Sequence, residues 1–129
     1  MSKQKENKAF ILRYFNAFSG KPKLPDTCDE YMTDQGLKEH ILFFDTIFPN
    51  YEIHADQMTA EDDRVTVLAR LVGTHKGNFN GIPPTFKEIE MPFAINYTIR
   101  DGKIIDHWLI ADQVALMQQL GVMESATEQ

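Results

Sequence analysis

Apolar residues in the first part of the chain recur at spacings of three and four, which is the period of an amphipathic helix. Residues 4–19 carry one such stripe, which ends at Gly20: Phe10, Ile11, Tyr14, Phe15 and Phe18. Residues 34–48 carry a second stripe, which ends at Pro49: Leu37, His40, Ile41, Phe44 and Phe48. A shorter helix fits residues 26–32. The pattern therefore predicts three helices before residue 50.

From Tyr51 onward the period changes to two, which is typical of strands with one buried face. Four strands are predicted, over residues 51–59, 64–75, 85–100 and 103–111. Asp101-Gly102, between the last two, is a signature of a type I′ hairpin turn, because such turns need positive φ and Gly adopts it readily. Residues 113–120 are predicted as a closing helix, with Gly121 at its C-terminal cap.

Helices followed by a meander of antiparallel strands predict an α+β fold, with N-terminal helices packed on a curved antiparallel sheet. A central pocket can form where the sheet curls around the helices. The other face of the sheet carries apolar residues such as Leu68 and needs its own cover, so we predict a homodimer formed through the sheet. With 129 residues and no linker or repeat, we expect a single domain spanning residues 1–129.

Charge and composition narrow the range of partners. The net charge of −6 and the scattering of the 13 basic residues argue against a nucleic-acid surface. No apolar run approaches the roughly 20 residues of a membrane span, so we expect no membrane partner. Residues 1–8 lack the apolar core of a signal peptide, and a lone Cys28 cannot form an internal disulfide. Both observations favour a cytoplasmic protein.

Asp112 is the main candidate for chemistry, and its position allows two interpretations. It directly precedes the closing helix, where an Asp is a good N-cap worth about 1 kcal/mol. It also lies on the same strand face as Trp108, and a carboxylate beside an aromatic ring in a dry pocket can transfer protons. The sequence alone leaves both interpretations open.

The histidines and one tyrosine are the other candidates. His40 and Tyr14 lie on the apolar stripes of their helices, so each is either a satisfied core side chain or a group that meets a ligand. His54, His75 and His107 lie on extended stretches without the spacing of metal ligands, so we predict no metal site.

Two segments of the chain form a recognisable pair of motifs. The first is residues 73–85, with the sequence Gly-Thr-His-Lys-Gly-Asn-Phe-Asn-Gly-Ile-Pro-Pro-Thr. The second runs from Asp101-Gly102-Lys103 through His107-Trp108 and Asp112 to Gln118-Gln119-Leu120-Gly121. In this order and at this separation, the pair resembles the SnoaL-like polyketide cyclases of the NTF2-like superfamily.

The resemblance implies a fold and a mechanism. The fold is an NTF2-like cone with a deep apolar pocket, usually in a dimer, and the reaction uses no cofactor and no metal. Asp112 is implied to be the carboxylate that takes an α-proton and returns a proton during an intramolecular aldol closure. Trp108, Tyr14 and His40 are implied to shape the cavity or stabilise the oxyanion.

Three more residues are predicted to contact the substrate. His75 ends a long strand just before a Gly-rich loop, and Phe48 lies at the end of the third predicted helix. Phe86 places a bulky ring where many members of the family have glycine, over the mouth of the pocket. We therefore predict that the ligand size differs from that of relatives with a small residue there.

The predicted function is a cofactor-independent acid–base enzyme, a cyclase-type lyase or isomerase. It acts through Asp112 on a small, largely apolar carbonyl compound. The alternative is a module of the same fold that binds an apolar ligand or a protein partner without converting it. The polar content of the pocket separates the two, because an enzyme needs Asp112 and at least one donor within about 3 Å of the reacting atom.

Overall fold

The structure, a computed structural model, describes residues 2–123. Within them the helices are α1 (Lys3–Phe18), α2 (Pro25–Tyr31), α3 (Gln35–Ile47) and α4 (Gln113–Leu120). The strands are β1 (Glu52–Glu61), β2 (Arg64–Thr74), β3 (Glu88–Arg100) and β4 (Lys103–Ala111). The predicted α+β order, with helices first and an antiparallel meander after them, is confirmed.

The helix ends follow local capping chemistry. The side chain of Ser2 accepts a hydrogen bond from the backbone N–H of Lys5 at the start of α1, and Asp34 accepts one from Leu37 at the start of α3. At the end of α4, Gly121 adopts φ +82°, which favours glycine, and its N–H returns to the last turn. These caps set the bounds of elements that the apolar stripes only located approximately.

The sheet is open and curved, with strand order β1-β2-β3-β4 and antiparallel pairing throughout. Asp101 and Gly102 both have positive φ, +51° and +74°, so the predicted type I′ turn between β3 and β4 is confirmed. β3 begins at Glu88, later than predicted. The residues before it still contact the end of β2, because the N–H of Phe86 donates to the carbonyl of His75 at 2.9 Å, but the positive φ of Phe86, +58°, interrupts the regular strand.

A bulge in β4 decides which side chains face the helices. Thr98 pairs with Asp106, but the next residue of β3, Ile99, pairs with Ile104, so one extra residue lies in β4. Ile104 is fully buried on the inner face, and the bulge then brings odd-numbered residues inward. His107, Leu109 and Ala111 consequently face the helices, whereas Trp108 and Ile110 face away from them.

The core fills the space between the helices and the inner face of the sheet, in two clusters. One joins α1, α2 and the first half of α3 to the middle of the sheet, and includes Phe15 and Tyr97. The other joins the end of α3 to α4 and to the ends of β2 and β3, and includes Phe48 and Leu116. No helix among the described residues is long and apolar enough to span a membrane.

Gln119, a residue of the C-terminal motif, has a structural role. Its side-chain amide accepts a hydrogen bond from the backbone N–H of Glu90 at 2.7 Å and donates to the carbonyl of the same residue at 2.8 Å. The N–H of Asp112 likewise donates to the carbonyl of Pro92 at 2.9 Å. These contacts pair backbone groups of β3 beyond the end of β4, so α4 is held over the edge of the sheet.

Candidate functional site

A central cavity of about 70 Å³ lies between α1, α3 and the inner face of the sheet. Most of its lining is apolar and buried or partly buried: Leu37, Ile41, Phe44, Ile53, Leu71, Met91, Phe93, Ile95, Leu109 and Ala111. The polar members of the lining are Tyr14, His40, Tyr51, Tyr97 and Gln113. Gln113 is the exposed side chain of the set, so the opening lies where β4 passes into α4.

No carboxylate is among the lining side chains within residues 2–123. The tyrosine hydroxyls of the lining stay protonated near neutral pH. Among the described lining side chains, the imidazole of His40 is therefore the group that can accept and release a proton there. The described part of the chain also contains no group of three His, Cys, Asp or Glu side chains that could hold a metal ion. The cavity thus offers an imidazole, three phenols and one amide in an apolar surround.

His40 lies on α3, at the edge of the cavity, and is half-buried. Its ring packs on Phe44 with the centroids 4.4 Å apart. Burial lowers the pKa of His40 below its ordinary value of 6.5, and the nearby His107 lowers it further. The imidazole is therefore unprotonated at neutral pH, which is the state that can accept a proton.

Three tyrosines form the deeper polar part of the cavity. Burial raises the pKa of Tyr14 well above 10, and hydrogen bonding to Tyr97 raises it further. Burial also raises the pKa of Tyr97 and of Tyr51. The rings of Tyr14 and Tyr97 meet edge-on with centroids 5.7 Å apart. These hydroxyls keep their protons at any ordinary pH. The hydrogen bond between Tyr14 and Tyr97 uses one of their two protons, so that pair can donate one hydrogen bond to a ligand oxygen.

A buried lysine, Lys23, packs on the ring of Tyr51. The ammonium of Lys23 lies 4.1 Å from the centre of the Tyr51 ring and donates to the backbone carbonyls of Lys21 and Tyr51. Burial lowers the pKa of Lys23 to about 8, and Asp45, with its Oδ1 at 3.9 Å, opposes that shift. Lys23 thus holds Tyr51 in its place on the cavity lining. The hydrogen bonds and the ion pair described for its ammonium are all made to groups of this chain.

His107 and Asp34 form a close pair at the edge of the cavity. Nδ1 of His107 lies 2.6 Å from Oδ2 of Asp34, while Oδ1 of the same carboxylate accepts the N–H of Leu37 at 3.0 Å. One carboxylate therefore caps α3 and holds an imidazole of β4. His107 pairs directly with Tyr97 across the strands, so it lies beside the polar lining.

The prediction that Asp112 faces the pocket is wrong. Its side chain is exposed and accepts the N–H of Ala115 at 2.9 Å, so the capping interpretation is confirmed. It borders a shallow groove on the outer face of the sheet, together with Ile110 and Arg70. Without the bulge, Asp112 would share the inward face of Ile104; with it, the carboxylate points away from the cavity. A catalytic role for Asp112 stays a prediction that the geometry does not favour.

Trp108 is displaced for the same reason. It lies on the outer face of the sheet and is 57% exposed, so it does not line the cavity as predicted. The residue that takes the inward position beside it is His107, which parity counted from Ile104 would place outside. His40 and Tyr14, in contrast, lie on the cavity lining, as their helical spacing predicted.

The three other predicted substrate contacts lie away from the cavity. Phe48 is fully buried and packs on Phe44 rather than lining the space. His75 is fully buried too: its Nδ1 accepts the N–H of Thr85 at 3.1 Å and contacts the Thr85 hydroxyl at 2.9 Å. Phe86 is 69% exposed, with φ +58°, and is absent from the lining. None of the three lines this cavity, and their contact with a substrate stays a prediction.

Sequence reasoning missed Asp34, His107 and Tyr97 as members of the site. Asp34 gave only a capping signal, and Tyr97 only the alternating pattern of a buried strand. His107 had the parity of an outward residue. A signal was available in the pattern Ile104-Ile105, since two adjacent apolar residues after the turn allow a bulge, but sequence alone does not decide which of them is extra.

Comparison with known families places most of the chain in a described family. Residues 23–120 match the family model for SnoaL-like polyketide cyclases. That range begins before α2 and ends with α4, so it contains α2, α3, the whole sheet and α4. No match to this chain is found among proteins of curated function.

Solved structures share the fold over nearly the whole chain. AclR of Streptomyces galilaeus, a candidate hydroxylase, superimposes with a TM-score of 0.82 at 21% identity, covering 96% of this chain and 86% of its own. A candidate SnoaL-like polyketide cyclase of Jannaschia sp. CCS1 gives 0.80 at 25% identity, covering 95% and 97%. A SnoaL-like polyketide cyclase of Agrobacterium tumefaciens C58 gives 0.74 at 17% identity, covering 89% and 98%.

Proposed function

Because the chain belongs to the SnoaL-like polyketide cyclase family, we propose that it is a cofactor-independent acid–base enzyme for small, apolar carbonyl compounds, with His40 as its base. The observation that supports this most directly is the half-buried, unprotonated imidazole on the lining of an otherwise apolar cavity. A base with a pKa near or below the working pH is available in its reactive form.

The proposed first step is removal of a proton from the carbon next to the carbonyl. His40 takes that proton, and the electron pair of the C–H bond moves to the carbonyl oxygen to form an enolate. The hydroxyls of Tyr14 and Tyr97 lie on the same lining and are hydrogen-bonded to each other, so the pair has one proton left to donate to that oxygen. Returning the proton from His40 to the carbanion or to a new alkoxide completes an isomerisation or an aldol closure.

The size of the cavity limits the substrate. At about 70 Å³ it is well below the roughly 300–1,000 Å³ of common ligand pockets. The compound that enters it is therefore small, or the side chains at the opening move outward around a larger one. Gln113 is exposed and His40 is half-buried, so both have room to do so.

The proposed activity is tested by measuring the rate at which α-protons of candidate substrates exchange with deuterium in D₂O. Small ketones and 1,3-dicarbonyl compounds are incubated with the protein, and loss of the α-proton signal is followed by NMR. We expect exchange above the rate given by the same concentration of free imidazole, since this step is shared by aldol closure and isomerisation. Exchange no faster than with free imidazole, for every compound that binds, would contradict the proposal.

A second candidate is a domain that binds such compounds without converting them. The lack of any carboxylate on the described lining favours it, because the imidazole is then the sole base. The same NMR samples separate the candidates: ligand resonances that broaden or shift with protein, while keeping their α-protons, indicate binding alone.

We also propose that a second copy of the chain covers the outer face of the sheet. Leu68, Trp108 and Ile110 are 46, 57 and 62% exposed there, and they come from β2 and β4. Leu68 and Ile110 both pair with Ala94 of β3, so the apolar side chains form one surface. An isologous dimer buries this surface against its own copy.

Ile110→Glu is expected to convert that dimer into a monomer, because it places two carboxylates in an apolar interface. Light scattering after size-exclusion chromatography gives the mass, and fluorescence of Trp108 should shift to the red in the monomer. Leu12→Glu is the matched control, since Leu12 is 48% exposed on α1, away from the sheet face. A monomeric wild-type protein, or a variant that stays dimeric, would reject this interface.

A further inference from the structure

Tyr51 differs from the other two phenols of the cavity lining in its hydrogen bonding. The hydroxyls of Tyr14 and Tyr97 bond each other, whereas that of Tyr51 makes no hydrogen bond to another group within residues 2–123. It is nevertheless open to the cavity, because the side-chain atom in that range that is both sealed from water and unpartnered is Nε2 of His75. Tyr51 therefore presents an uncommitted donor to a ligand.

The position of Tyr51 is fixed at its backbone and at its ring. Its N–H donates to the carbonyl of Phe48 at 3.1 Å, and its own carbonyl accepts the N–H of Gly20 at 3.0 Å. The ammonium of Lys23 donates to that same carbonyl at 2.8 Å and lies 4.1 Å from the centre of the ring. One cation thus contacts both the backbone and the π face of Tyr51, which restricts how its ring can turn.

Burying this ammonium costs free energy that its ion pair offsets only in part. The Lys23 side chain is fully buried, and Oδ1 of Asp45 lies 3.9 Å from its Nζ, which is beyond hydrogen-bond distance. The oxygens of Asp45 instead accept the backbone N–H groups of Lys23 and Asn50, at 3.3 and 2.9 Å. A methionine would fill similar space without a charge to desolvate. We therefore look for the role of the charge in what the ammonium contacts, the ring and carbonyl of Tyr51.

We propose that Tyr51 is a catalytic residue that donates a hydrogen bond to the carbonyl oxygen of the substrate, and that Lys23 is the positioning residue that orients its ring. This inference rests on the proposed function for its catalytic meaning, since the same oxygen carries the enolate charge once His40 has taken the α-proton. Donors that are oriented before the reaction stabilise such a charge most effectively. With the one proton left to the pair of Tyr14 and Tyr97, the oxygen then has two donors.

The test is the infrared C=O stretch of a bound ketone, which needs no turnover. Acetone and cyclohexanone labelled with ¹³C at the carbonyl are the probes, and the same ketones mixed with phenol in hexane calibrate the effect of one hydrogen bond. In Tyr51→Phe we expect the band to move to higher frequency by that calibrated amount, and the dissociation constant to rise by about tenfold or less. Tyr31→Phe is the matched control and should leave the band unchanged, because Tyr31 is a half-buried phenol that does not line the cavity.

Lys23→Met tests the positioning role. Without the ammonium the ring of Tyr51 is freer to turn, so the band of the bound ketone should broaden and move toward its position in Tyr51→Phe. A purely structural role would leave the band of the folded variant where it is in the wild type. Lys21→Met is the matched control, since it removes an exposed lysine two positions earlier whose Nζ bonds the carbonyl of Asn16. If Lys23→Met does not fold, the double variant with Asp45→Asn replaces it, because it also removes the carboxylate left without its partner.

The outcomes are separable from those of the proposed function. A band that moves in folded Tyr51→Phe and Lys23→Met, but in neither control, supports both assignments even if no compound exchanges its α-protons. An unchanged band in folded Tyr51→Phe, a band that moves equally in Tyr31→Phe, or a protein that binds neither ketone overturns the inference, even if 1,3-dicarbonyl compounds exchange rapidly. A wild-type band in folded Lys23→Met, or loss of folding in both Lys23 variants, overturns the role of Lys23.

Discussion

His40→Gln is expected to lower the rate of enzyme-catalysed α-proton exchange by about 10²–10⁴-fold, which is the usual contribution of a positioned general base. Glutamine keeps a polar side chain of similar reach, but it cannot accept the proton. Because His40 is half-buried and packs on Phe44, the substitution removes little of the lining and should leave ligand binding nearly unchanged. The measurement is the exchange rate at saturating ligand, together with the dissociation constant of the same ligand.

Asp112→Asn is the matched comparison for that experiment. Asparagine still caps α4 through its side-chain oxygen, so the fold and the position of the helix are retained. We expect wild-type exchange in this variant, because the carboxylate is exposed and does not line the cavity. The reverse result, loss of exchange in Asp112→Asn and retention in His40→Gln, would return the catalytic role to Asp112 and show that it turns inward when the ligand binds.

Gly77→Ala is expected to cause the largest loss of stability among single methyl additions to this chain, about 3 kcal/mol. A Cβ there would overlap the backbone carbonyl oxygen of Thr46 and come within 3.0 Å of Cα of Ile47. The loop has to move away from the end of α3 to relieve this. That movement would break the hydrogen bonds from the N–H groups of Lys76 and Gly77 to the carbonyl of Ile47, at 2.9 and 3.1 Å.

Thermal denaturation with circular dichroism measures this effect, and we expect the midpoint to fall by about 10 °C. Gly36→Ala is the control, since a Cβ at that position meets only ordinary contacts of 3.4 and 3.9 Å. It lies in the first turn of α3, where Ala is favoured over Gly, so its stability should equal or exceed that of the wild type. If Gly77→Ala melts with the wild type, the close approach of the loop to α3 is absent in solution.

The motif segment from Gly73 to Thr85 illustrates how a recognisable sequence can serve structure rather than a ligand. His75 holds Thr85 through its ring, so the two ends of the loop are tied together. Gly77 permits the loop to cross the end of α3. His75, Gly77 and Thr85 do not line the cavity, and their contacts fix the connection between β2 and β3.

The secondary structure followed from the sequence because it depends on local physics. Apolar spacing located α1 and α3, Asp34 and Gly121 mark helix ends, and Asp101-Gly102 determines the type I′ turn. Elements in this order can pack in few ways, so the antiparallel sheet, the helices on its inner face and the cavity between them were predictable. His40 and Tyr14 followed as well, since a residue on the apolar face of a helix must face the sheet.

Tertiary structure alone decided which side of β4 faces the cavity. Strand residues alternate strictly, so one extra residue at the bulge exchanges the two faces for the rest of the strand. That single step turned Trp108 and Asp112 away from the helices and turned His107 toward them, within hydrogen-bond distance of Asp34, 73 positions earlier in the sequence. The chain sequence specifies the side chains that do chemistry, but their meeting depends on pairing register, which is set by long-range contacts between strands and helices.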